Sequence, residues 1–309
     1  NIIGESPAIK KARFLISTHS QYDAPVLITG ETGTGKELAA RGLHYSGERA
    51  SQPFVPVNCA TFTDDLFASE LFGHVKGSFT DAKKDKKGLL AIAEKGTLFL
   101  DEIDSLSLKS QAALLRFLQE NEYRPVGSEV SYRSNVRLIA SANCNLEERI
   151  HAGTFRSDLY YRLFILSVHM PPLRARISDI PILIEHFIQQ FDYQYHLGVK
   201  PVSPNLLKIL QEQPWLGNIR ELENLIHRLY LCSAAGHIID IEMLPYASSS
   251  FAESVSEQCF RADKSHNASI IDELGLEMND FDKNPNDYNF SLDKKDAVEA
   301  FEKRYVEVL

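Results

Sequence analysis

The sequence predicts an α/β fold in which helices sandwich a mostly parallel β-sheet, followed by a small domain made only of helices. Two patterns and one motif predict it. Short apolar runs alternate with amphipathic segments over residues 5–172, as expected for a parallel sheet covered on both faces. A glycine-rich loop joins the first apolar run to the next segment. After Pro171 and Pro172 the patterns become helical throughout.

The first elements are a helix, a strand and the glycine-rich loop. Ser6 and Pro7 form a helix-start signal, which predicts a helix at 5–20 with Ile9, Ala12, Phe14, Leu15 and Ile16 as its apolar residues. The apolar run that begins at Val26 is bounded by glycine, which predicts a buried strand. The loop that follows has the spacing G-x-x-x-x-G-K of a phosphate-binding loop.

This loop predicts a nucleoside triphosphate site. Its glycines let successive N–H groups face the phosphates, the helix after it adds a positive N-terminal end, and the lysine adds a charge. Because Glu37 stands where a magnesium-binding Ser or Thr is usual, the metal must depend on a carboxylate elsewhere. We expect the contacts to come from Gly30, Glu31, Thr32, Gly33, Thr34, Gly35, Lys36 and Glu37.

The next segments lead to a pair of carboxylates. A strand is expected at 54–59, helices at 66–72 and 89–94, and a protruding loop at 77–88, which is polar and bracketed by glycines. A buried strand then ends in Asp101 and Glu102. Asp101 is placed to hold Mg²⁺ and Glu102 to activate the attacking water, with solvated carboxylates as the alternative. Their position behind an apolar strand, roughly 65 residues after a phosphate loop, favours the functional interpretation.

The rest of the α/β part supplies three further polar candidates. After a turn around Gly127, the strand predicted at 135–143 ends in Asn143 at the ligand edge of the sheet. Asn143 could hydrogen-bond the γ-phosphate or the attacking water, with a plain turn residue as the alternative. Arg156 and Arg162 are predicted on roughly one helical face, with ordinary surface arginines as the alternative. On helix 107–120 we expect a buried face of Leu108, Ala112, Leu115 and Leu118.

Four regions are predicted along the chain: an α/β part at 1–172, a helical part at 173–245, an acidic flexible linker at 246–290, and a helix at 291–309 that leads to a further domain. The helical part should contain helices at 178–195, 203–212 and 217–235. Arg220, in the first turn of the third, could reach back to the nucleotide.

Composition restricts the class of protein. The formal net charge is −9 and no region is strongly basic, so we do not expect these residues to be the main DNA-binding part. Cys59, Cys144, Cys232 and Cys259 are scattered, which argues against a zinc site or disulfides and fits a reduced cytoplasm. No apolar stretch is long enough for a membrane span, and the first residue, Asn1, suggests a piece of a longer protein.

Taken together, the motifs resemble the AAA+ domain of bacterial enhancer-binding proteins, the NtrC-like activators of sigma-54 RNA polymerase. The resemblance runs from about Ile2 to Pro245. It predicts an AAA+ P-loop NTPase fold with a small helical lid. The motifs that carry it are Gly30 to Glu37, Asn58-Cys59, Glu70 to His74, Thr97 to Ile103, Phe155 to Leu163, Pro171 to Arg174 and Asn218 to Asn224.

The resemblance implies a role for each site residue. Asn143 would be the sensor I residue and Arg220 the sensor II arginine, while Asn58 would restrain Glu102 until the nucleotide state changes. Arg156 and Arg162 would be arginine fingers that reach the γ-phosphate of the next subunit in a hexameric or heptameric ring. ATP and Mg²⁺ would be the cofactors, RNA polymerase holoenzyme a partner, and DNA would be bound by a domain after this one. A regulatory domain, as in two-component systems, would precede it.

One departure concerns the loop that touches the sigma factor. The family reads Gly-Ala-Phe-Thr-Gly-Ala where this chain has Gly77, Ser78, Phe79, Thr80, Asp81 and Ala82. Asp81 puts a charge at the contact point, where burying it unpaired is costly, so we predict activation of transcription without sigma-54 remodelling. The alternative is a changed tip that still works, helped by lysines between positions 83 and 87. Milder departures are Pro125, Ala142 and Leu216.

A second similarity concerns a subset of relatives, regulators of biofilm polysaccharide and flagella that bind cyclic di-GMP. The segment from Ala40 to Tyr45 is similar to that subset, which makes Arg41 a candidate contact, with a solvated helix arginine as the alternative. Three functions therefore compete: an ATP-driven activator, a nucleotide- or cyclic di-GMP-sensing module that hydrolyses ATP weakly, and a remodelling AAA+ ATPase such as a chaperone. The loop at 73–88 and the Phe155–Leu163 motif disfavour the third.

Overall fold

A parallel β-sheet of five strands organises the α/β part, in a computed structural model that describes residues 2–79, 82–233, 237–240 and 243. The strands are β1 (Val26–Thr29), β2 (Phe54–Asn58), β3 (Gly73–His74), β4 (Lys86–Lys87), β5 (Thr97–Asp101), β6 (Glu122–Tyr123), β7 (Tyr132–Arg133), β8 (Arg137–Ala142) and β9 (Leu166–His169). The helices are α1 (Pro7–Ser20), α2 (Lys36–Tyr45), α3 (Asp64–Phe72), α4 (Leu89–Ile92), α5 (Leu108–Glu120), α6 (Leu146–His151), α7 (Ser157–Leu163), α8 (Ile180–Tyr195), α9 (Pro204–Glu212) and α10 (Asn218–Cys232).

The order of the main sheet is β2-β5-β8-β1-β9, and every neighbouring pair is parallel. The register pairs Thr29 with Ala142 and Asn58 with Asp101. The carboxyl ends of β1, β8, β2 and β5 therefore meet at one edge, where ligands bind in open parallel sheets. This register brings the phosphate loop, the two carboxylates and Asn143 to the same edge, as the sequence predicts.

Two apolar layers cover the sheet, one on each face. Val26 and Ile28 of β1 pack in a cluster with Ile9 and Ala12 of α1, whereas Leu27 packs in the cluster on the other face. This alternation follows from the two-residue side-chain period of a strand. The predicted α/β sandwich is confirmed. The predicted first helix is confirmed as α1, and of its apolar residues Ile9, Ala12 and Ile16 are buried whereas Phe14 is exposed.

Helix α5 differs from the predicted buried face. Leu108 and Ala112 are exposed, and the face that packs on the sheet contains Leu114, Leu115, Phe117 and Leu118. The difference arises from a polar residue on the buried face. Gln111 is also buried and donates hydrogen bonds to the carbonyl oxygens of Leu106 and Thr154. A prediction based on the spacing of apolar residues cannot detect a buried glutamine. The predicted face of α5 was therefore rotated about the helix axis relative to the observed one.

The loop at 77–88 rises from a short antiparallel pair of strands that the sequence did not reveal. Strand β3 pairs with β4, and the hairpin β6–β7 lies beside it, with the Val75 amide donating to the Val126 carbonyl over 3.1 Å. Gly73 is required here, since its φ is +84° and an added Cβ would lie 2.5 Å from the Lys86 carbonyl oxygen. Strands of two residues show no periodicity, which explains the omission.

The helical part consists of α8, α9 and α10, as predicted, although α10 ends at Cys232. Trp215 is buried and its indole N–H donates to the Leu210 carbonyl over 2.7 Å. Lys200 is buried too and donates to the carbonyl oxygens of Tyr230 and Ser233 at the end of α10, where a positive charge is favourable. The predicted linker at 246–290 and helix at 291–309 lie outside the described residues. In the described part of the chain, no helix has both the length and the apolar character of a membrane span.

Candidate functional site

The phosphate loop connects β1 to α2 and is held by backbone and side-chain hydrogen bonds. Lys36 is the first residue of α2, is buried, and donates through Nζ to the carbonyl oxygens of Gly30 (2.8 Å) and Glu31 (3.0 Å). The Thr34 hydroxyl also donates to the Glu31 carbonyl. Gly33 must be glycine, because its φ is +78° and an added Cβ would lie 2.2 Å from the Gly217 carbonyl oxygen.

The charges around Lys36 place the other predicted residues beside it. Burial lowers the pKa of the Lys36 ammonium, and the negative charges of Asp101, Asp104 and Glu102 act in the opposite direction. Arg220 adds a smaller lowering effect on the same pKa. The lysine therefore lies within electrostatic range of three carboxylates and of the arginine from α10.

Ser141 connects the two carboxylates and was missed by the sequence analysis. Its hydroxyl donates to a carboxylate oxygen of Asp101, and its Oγ accepts a hydrogen bond from the Glu102 N–H over 3.2 Å. Glu102 has a left-handed backbone, with φ of +57°, which turns the chain sharply after the strand. The available signal was a polar residue two positions before Asn143, directly after the apolar run Leu138, Ile139 and Ala140 of β8.

Asn143 follows β8 and completes this edge. Its N–H donates to a carboxylate oxygen of Asp104 over 3.2 Å. A cleft of about 330 Å³ is lined by Lys36, Asp101, Glu102, Asn143 and Arg220 together with Thr32, Gly33, Gly35, Glu37, Leu38, Ile219 and Glu223. The structure therefore brings Lys36, both carboxylates, Asn143 and Arg220 into one cleft, as the sequence predicts.

The donors in this cleft fit Mg²⁺, which prefers oxygen ligands and is usually held by one or two carboxylates with phosphates and waters. Asp101, at the end of β5, offers such a carboxylate and Glu102 lies next to it. The carboxylate of Glu37 instead pairs with Arg41 over 2.7 Å. No cluster of three His, Cys, Asp or Glu side chains that could hold a metal ion occurs in the described residues.

The two predicted arginine fingers do not line this cleft. Arg162 donates from Nε and Nη2 to the Leu118 carbonyl, and Arg156 pairs with Asp158 over 2.7 Å. Arg156 precedes α7 and Arg162 is in its last turn, so the prediction that they share a helical face is wrong. Their action on a neighbouring subunit stays a prediction.

Asn58 and Arg41 make local contacts. Asn58 is paired with Asp101 in the sheet, and its side-chain oxygen accepts from the Ala60 N–H over 2.8 Å. In the part of the chain that the structure describes, no hydrogen bond joins Asn58 to Glu102, and the switch role stays a prediction. The Arg41 guanidinium pairs with Glu37 and lies 5.1 Å from the centre of the Phe54 ring, as expected of an ordinary surface arginine.

The loop at 77–88, in which the resemblance predicts the sigma contact, is described on both sides of its tip. The Gly77 N–H donates to the Ala82 carbonyl over 2.9 Å, and the Ala82 N–H donates to the Phe79 carbonyl over 3.0 Å. Phe79 is 40% exposed and its ring packs edge-on against His74. Ser78 contributes a side chain against Gly127 of the neighbouring hairpin. Thr80 and Asp81 lie outside the described residues.

A clasp of three residues, Glu31, Arg174 and Asn218, ties the phosphate loop to the helical part, and the sequence analysis missed it. Both carboxylate oxygens of Glu31 accept from the Arg174 guanidinium, and one also accepts from Asn218 Nδ2 over 3.2 Å. These contacts, led by that of Arg174, lower the pKa of Glu31 to about 2. The Ile219 N–H donates to the Gly33 carbonyl over 3.0 Å, so the helix that carries Arg220 is fixed to the loop.

The sequence matches two known domain families, one for each part of the fold. Residues 2–169 match the sigma-54 interaction domain, and residues 174–258 match the AAA+ ATPase lid domain. Nothing in these matches singles out the cyclic di-GMP-binding subset.

Individual relatives agree with these families. The chain is 46% identical over 228 residues to the DNA-binding transcriptional regulator NtrC of Rhizobium meliloti (strain 1021), covering 74% of this chain and 47% of that protein. It is 44% identical over 242 residues to the transcriptional regulatory protein XylR of Pseudomonas putida, covering 78% and 43%. The chain thus spans about half the length of the curated relatives it matches.

Solved structures show the same fold. The crystal structure of NtrX from Brucella abortus in complex with ATP has a TM-score of 0.75 and 33% sequence identity, over 82% of this chain and 55% of that chain. A second NtrX structure, in complex with ADP, has a TM-score of 0.74. The predicted resemblance and the predicted fold are confirmed: the chain belongs to the sigma-54 interaction domain family of AAA+ P-loop ATPase domains, with an AAA+ lid.

Proposed function

We propose that this chain binds and hydrolyses ATP as the central domain of a sigma-54-dependent transcription activator. The observation that carries the proposal is the convergence of Lys36, Asp101, Glu102, Asn143 and Arg220 in one cleft beside a phosphate loop. The family match and the NtrX structure in complex with ATP support this choice of nucleotide.

Each side chain has a distinct task. The loop N–H groups and Lys36 bind the β- and γ-phosphates, and Arg220 approaches them from the lid. Asp101 would hold Mg²⁺, and the bound ion would neutralise charge on the phosphate oxygens. Glu102 accepts a proton from the attacking water, and Asn143 orients that water or the γ-phosphate. Ser141 positions both carboxylates through its two hydrogen bonds.

The site needs a second subunit to be complete. Arg156 and Arg162 lie away from the cleft of their own chain, so they can supply charge only to a nucleotide held by a neighbour. A hexameric or heptameric ring provides such neighbours. Further partners in this proposal are the sigma-54 RNA polymerase holoenzyme in the cytoplasm and DNA, the latter bound by a domain outside these residues.

Turnover as a function of protein concentration tests the proposal. We expect ATP hydrolysis per subunit to rise as rings assemble, and Glu102→Gln to keep ATP binding while losing turnover. Turnover per subunit that is constant over the concentrations where rings form would contradict a shared site. Cyclic di-GMP is added as a separate arm. A change in turnover that Arg41→Ala abolishes would favour the sensing module instead.

The sigma-contact loop requires its own test, because Asp81 favours a different candidate, activation without sigma-54. The family match supports sigma-54 as the partner. Transcription is reconstituted with the full-length protein and either the sigma-54 or the housekeeping holoenzyme. Activity only with sigma-54, abolished by Phe79→Ala, supports the proposal. Activity with the housekeeping holoenzyme that survives Phe79→Ala would overturn it.

A further inference from the structure

Arg176 is a buried arginine whose charge is not satisfied by hydrogen bonds. It follows the 3₁₀ turn Leu173–Ala175 and is 2% exposed, and neither its Nε nor its Nη2 has a hydrogen-bond partner in the described residues. A buried arginine normally donates to a carboxylate or to carbonyl oxygens, since an unpaired buried charge is costly. The structure therefore keeps a charged donor group in an unfavourable state.

The carboxylate of Asp179, which acts on Arg176, is engaged elsewhere. Asp179 acts on Arg176 electrostatically, but its two oxygens accept from the N–H groups of Glu5 (2.7 Å) and Ser6 (2.8 Å) and from the Ser6 hydroxyl (2.6 Å). Burial accordingly dominates and lowers the pKa of the Arg176 guanidinium. The N–H groups of Arg176 Nε and Nη2 therefore remain available to a hydrogen-bond acceptor from a bound ligand.

Arg176 lines a cavity of about 280 Å³ that adjoins the phosphate cleft. Gly35, Leu38, Ile219 and Glu223 line both spaces, so the cavity is within reach of a ligand whose phosphates occupy the cleft. The remaining walls include the apolar side chains of Ile2, Met170, Leu183 and Phe187. A flat apolar ring fits such walls, provided that its polar edge meets a donor.

A purine base has these properties. Its faces are apolar and its ring nitrogens accept hydrogen bonds, whereas a guanidinium offers donors and no acceptor. We propose that Arg176 donates to a ring nitrogen of the purine base and so contributes to the base specificity of the site. Gln190 and Glu223, in the same cavity, supply acceptors for an exocyclic amino group. This inference rests on the proposed ATP-binding function and extends it from the phosphates to the base.

The test compares ATP with analogues in which one ring nitrogen is replaced by CH, at position 1, 3 or 7. Dissociation constants are measured for the wild type, Arg176→Met and Arg176→Lys. We expect one analogue to bind the wild type about 10- to 100-fold more weakly than ATP, the factor for a hydrogen bond from a charged donor. Arg176→Met should abolish that difference, and Arg176→Lys should reduce it.

Arg137 provides a matched control, because it is also buried but its Nη1 and Nη2 donate to the carbonyl oxygens of His19, Ser20 and Leu43. Arg137→Met should lower the unfolding midpoint and leave the analogue ratios unchanged. Arg176→Met should not lower the midpoint of the nucleotide-free protein, since it removes an unpaired buried charge. A lower midpoint with unchanged analogue ratios would assign Arg176 a structural role and overturn the inference.

Two further outcomes separate this inference from the proposed function. Equal weakening of ATP and all three analogues by Arg176→Met would overturn base recognition while leaving ATP binding intact. A wild-type protein that does not bind ATP would refute the proposed function itself, and Lys36→Ala serves as the reference for lost phosphate binding. If Arg176→Met does not fold, Arg176→Lys with unchanged analogue ratios still overturns the inference.

Discussion

Asn218 is the residue whose replacement tests the clasp between phosphate loop and lid most sharply. It is fully buried, its Oδ1 accepts from the Leu173 N–H over 2.8 Å, and its Nδ2 donates to Glu31 and to the Thr32 carbonyl. Asn218→Ala leaves the Leu173 N–H unsatisfied, which costs about 1–3 kcal/mol. Its backbone is left-handed, with φ of +55°. Alanine there adds about 1–2 kcal/mol, for a total loss of about 2–5 kcal/mol in the free energy of unfolding.

The assay is denaturant unfolding combined with ATP titration. Asn218→Gly removes the same side chain without the Cβ strain, so it should lose about 1 kcal/mol less than alanine. Asn121 is the matched control, because it is also left-handed, with φ of +50°, but exposed. Asn121→Ala should cost only the backbone strain and leave the dissociation constant for ATP unchanged. A loss below about 1 kcal/mol for Asn218→Ala, or unweakened ATP binding, would refute the clasp.

Three further outcomes are expected. Ser141→Ala should lower kcat by about tenfold with little change in ATP affinity, because its hydroxyl positions Asp101 and Glu102, and an unchanged kcat would remove it from the mechanism. The pKa of Glu31 falls from its ordinary value of 4.5 to about 2, so the charge of Glu31 stabilises the folded state above pH 4.5 and this contribution is lost as the pH falls through 2. The difference in unfolding free energy between wild type and Glu31→Gln should therefore be constant above about pH 5 and shrink as the pH falls from 4.5 towards 2, and a difference that stays unchanged over that lower range would contradict the assignment. Burial raises the pKa of the Cys59 thiol to about 12, so iodoacetamide at about pH 8 should alkylate exposed Cys232 and spare Cys59 in the native protein.

The sequence was sufficient to predict the fold and the cleft, for a physical reason. The strands are buried on both faces, so they appear as apolar runs, and parallel strands present their carboxyl ends at one edge. Residues just after those runs, such as Lys36, Asp101 and Asn143, therefore had to come together. The glycine spacing of the loop predicted that these residues bind a nucleoside triphosphate.

The contacts that the sequence did not reveal join residues distant along the chain. Arg174 and Asn218 reach Glu31 across separations of 143 and 187 residues, and no local pattern records such a pairing. The sequence also gives no sign of the special environment of Arg176, which follows a proline-containing turn. Only the structure shows that this arginine is buried and that its Nε and Nη2 have no partner in the described residues. The buried Gln111 of α5 misled the apolar count because its hydrogen bonds depend on a distant loop.

In the proposed mechanism, one subunit hydrolyses ATP with an arginine supplied by its neighbour. Glu102→Gln lacks the general base, and Arg162→Ala should lose activity by about a thousandfold or more, as is typical of arginine fingers. Mixing the two inactive variants measures the claim directly, since a junction with Glu102 from one chain and Arg162 from the other is complete. ATP turnover should therefore recover in mixed rings. No recovery at any ratio, with ring assembly shown by light scattering, would contradict it.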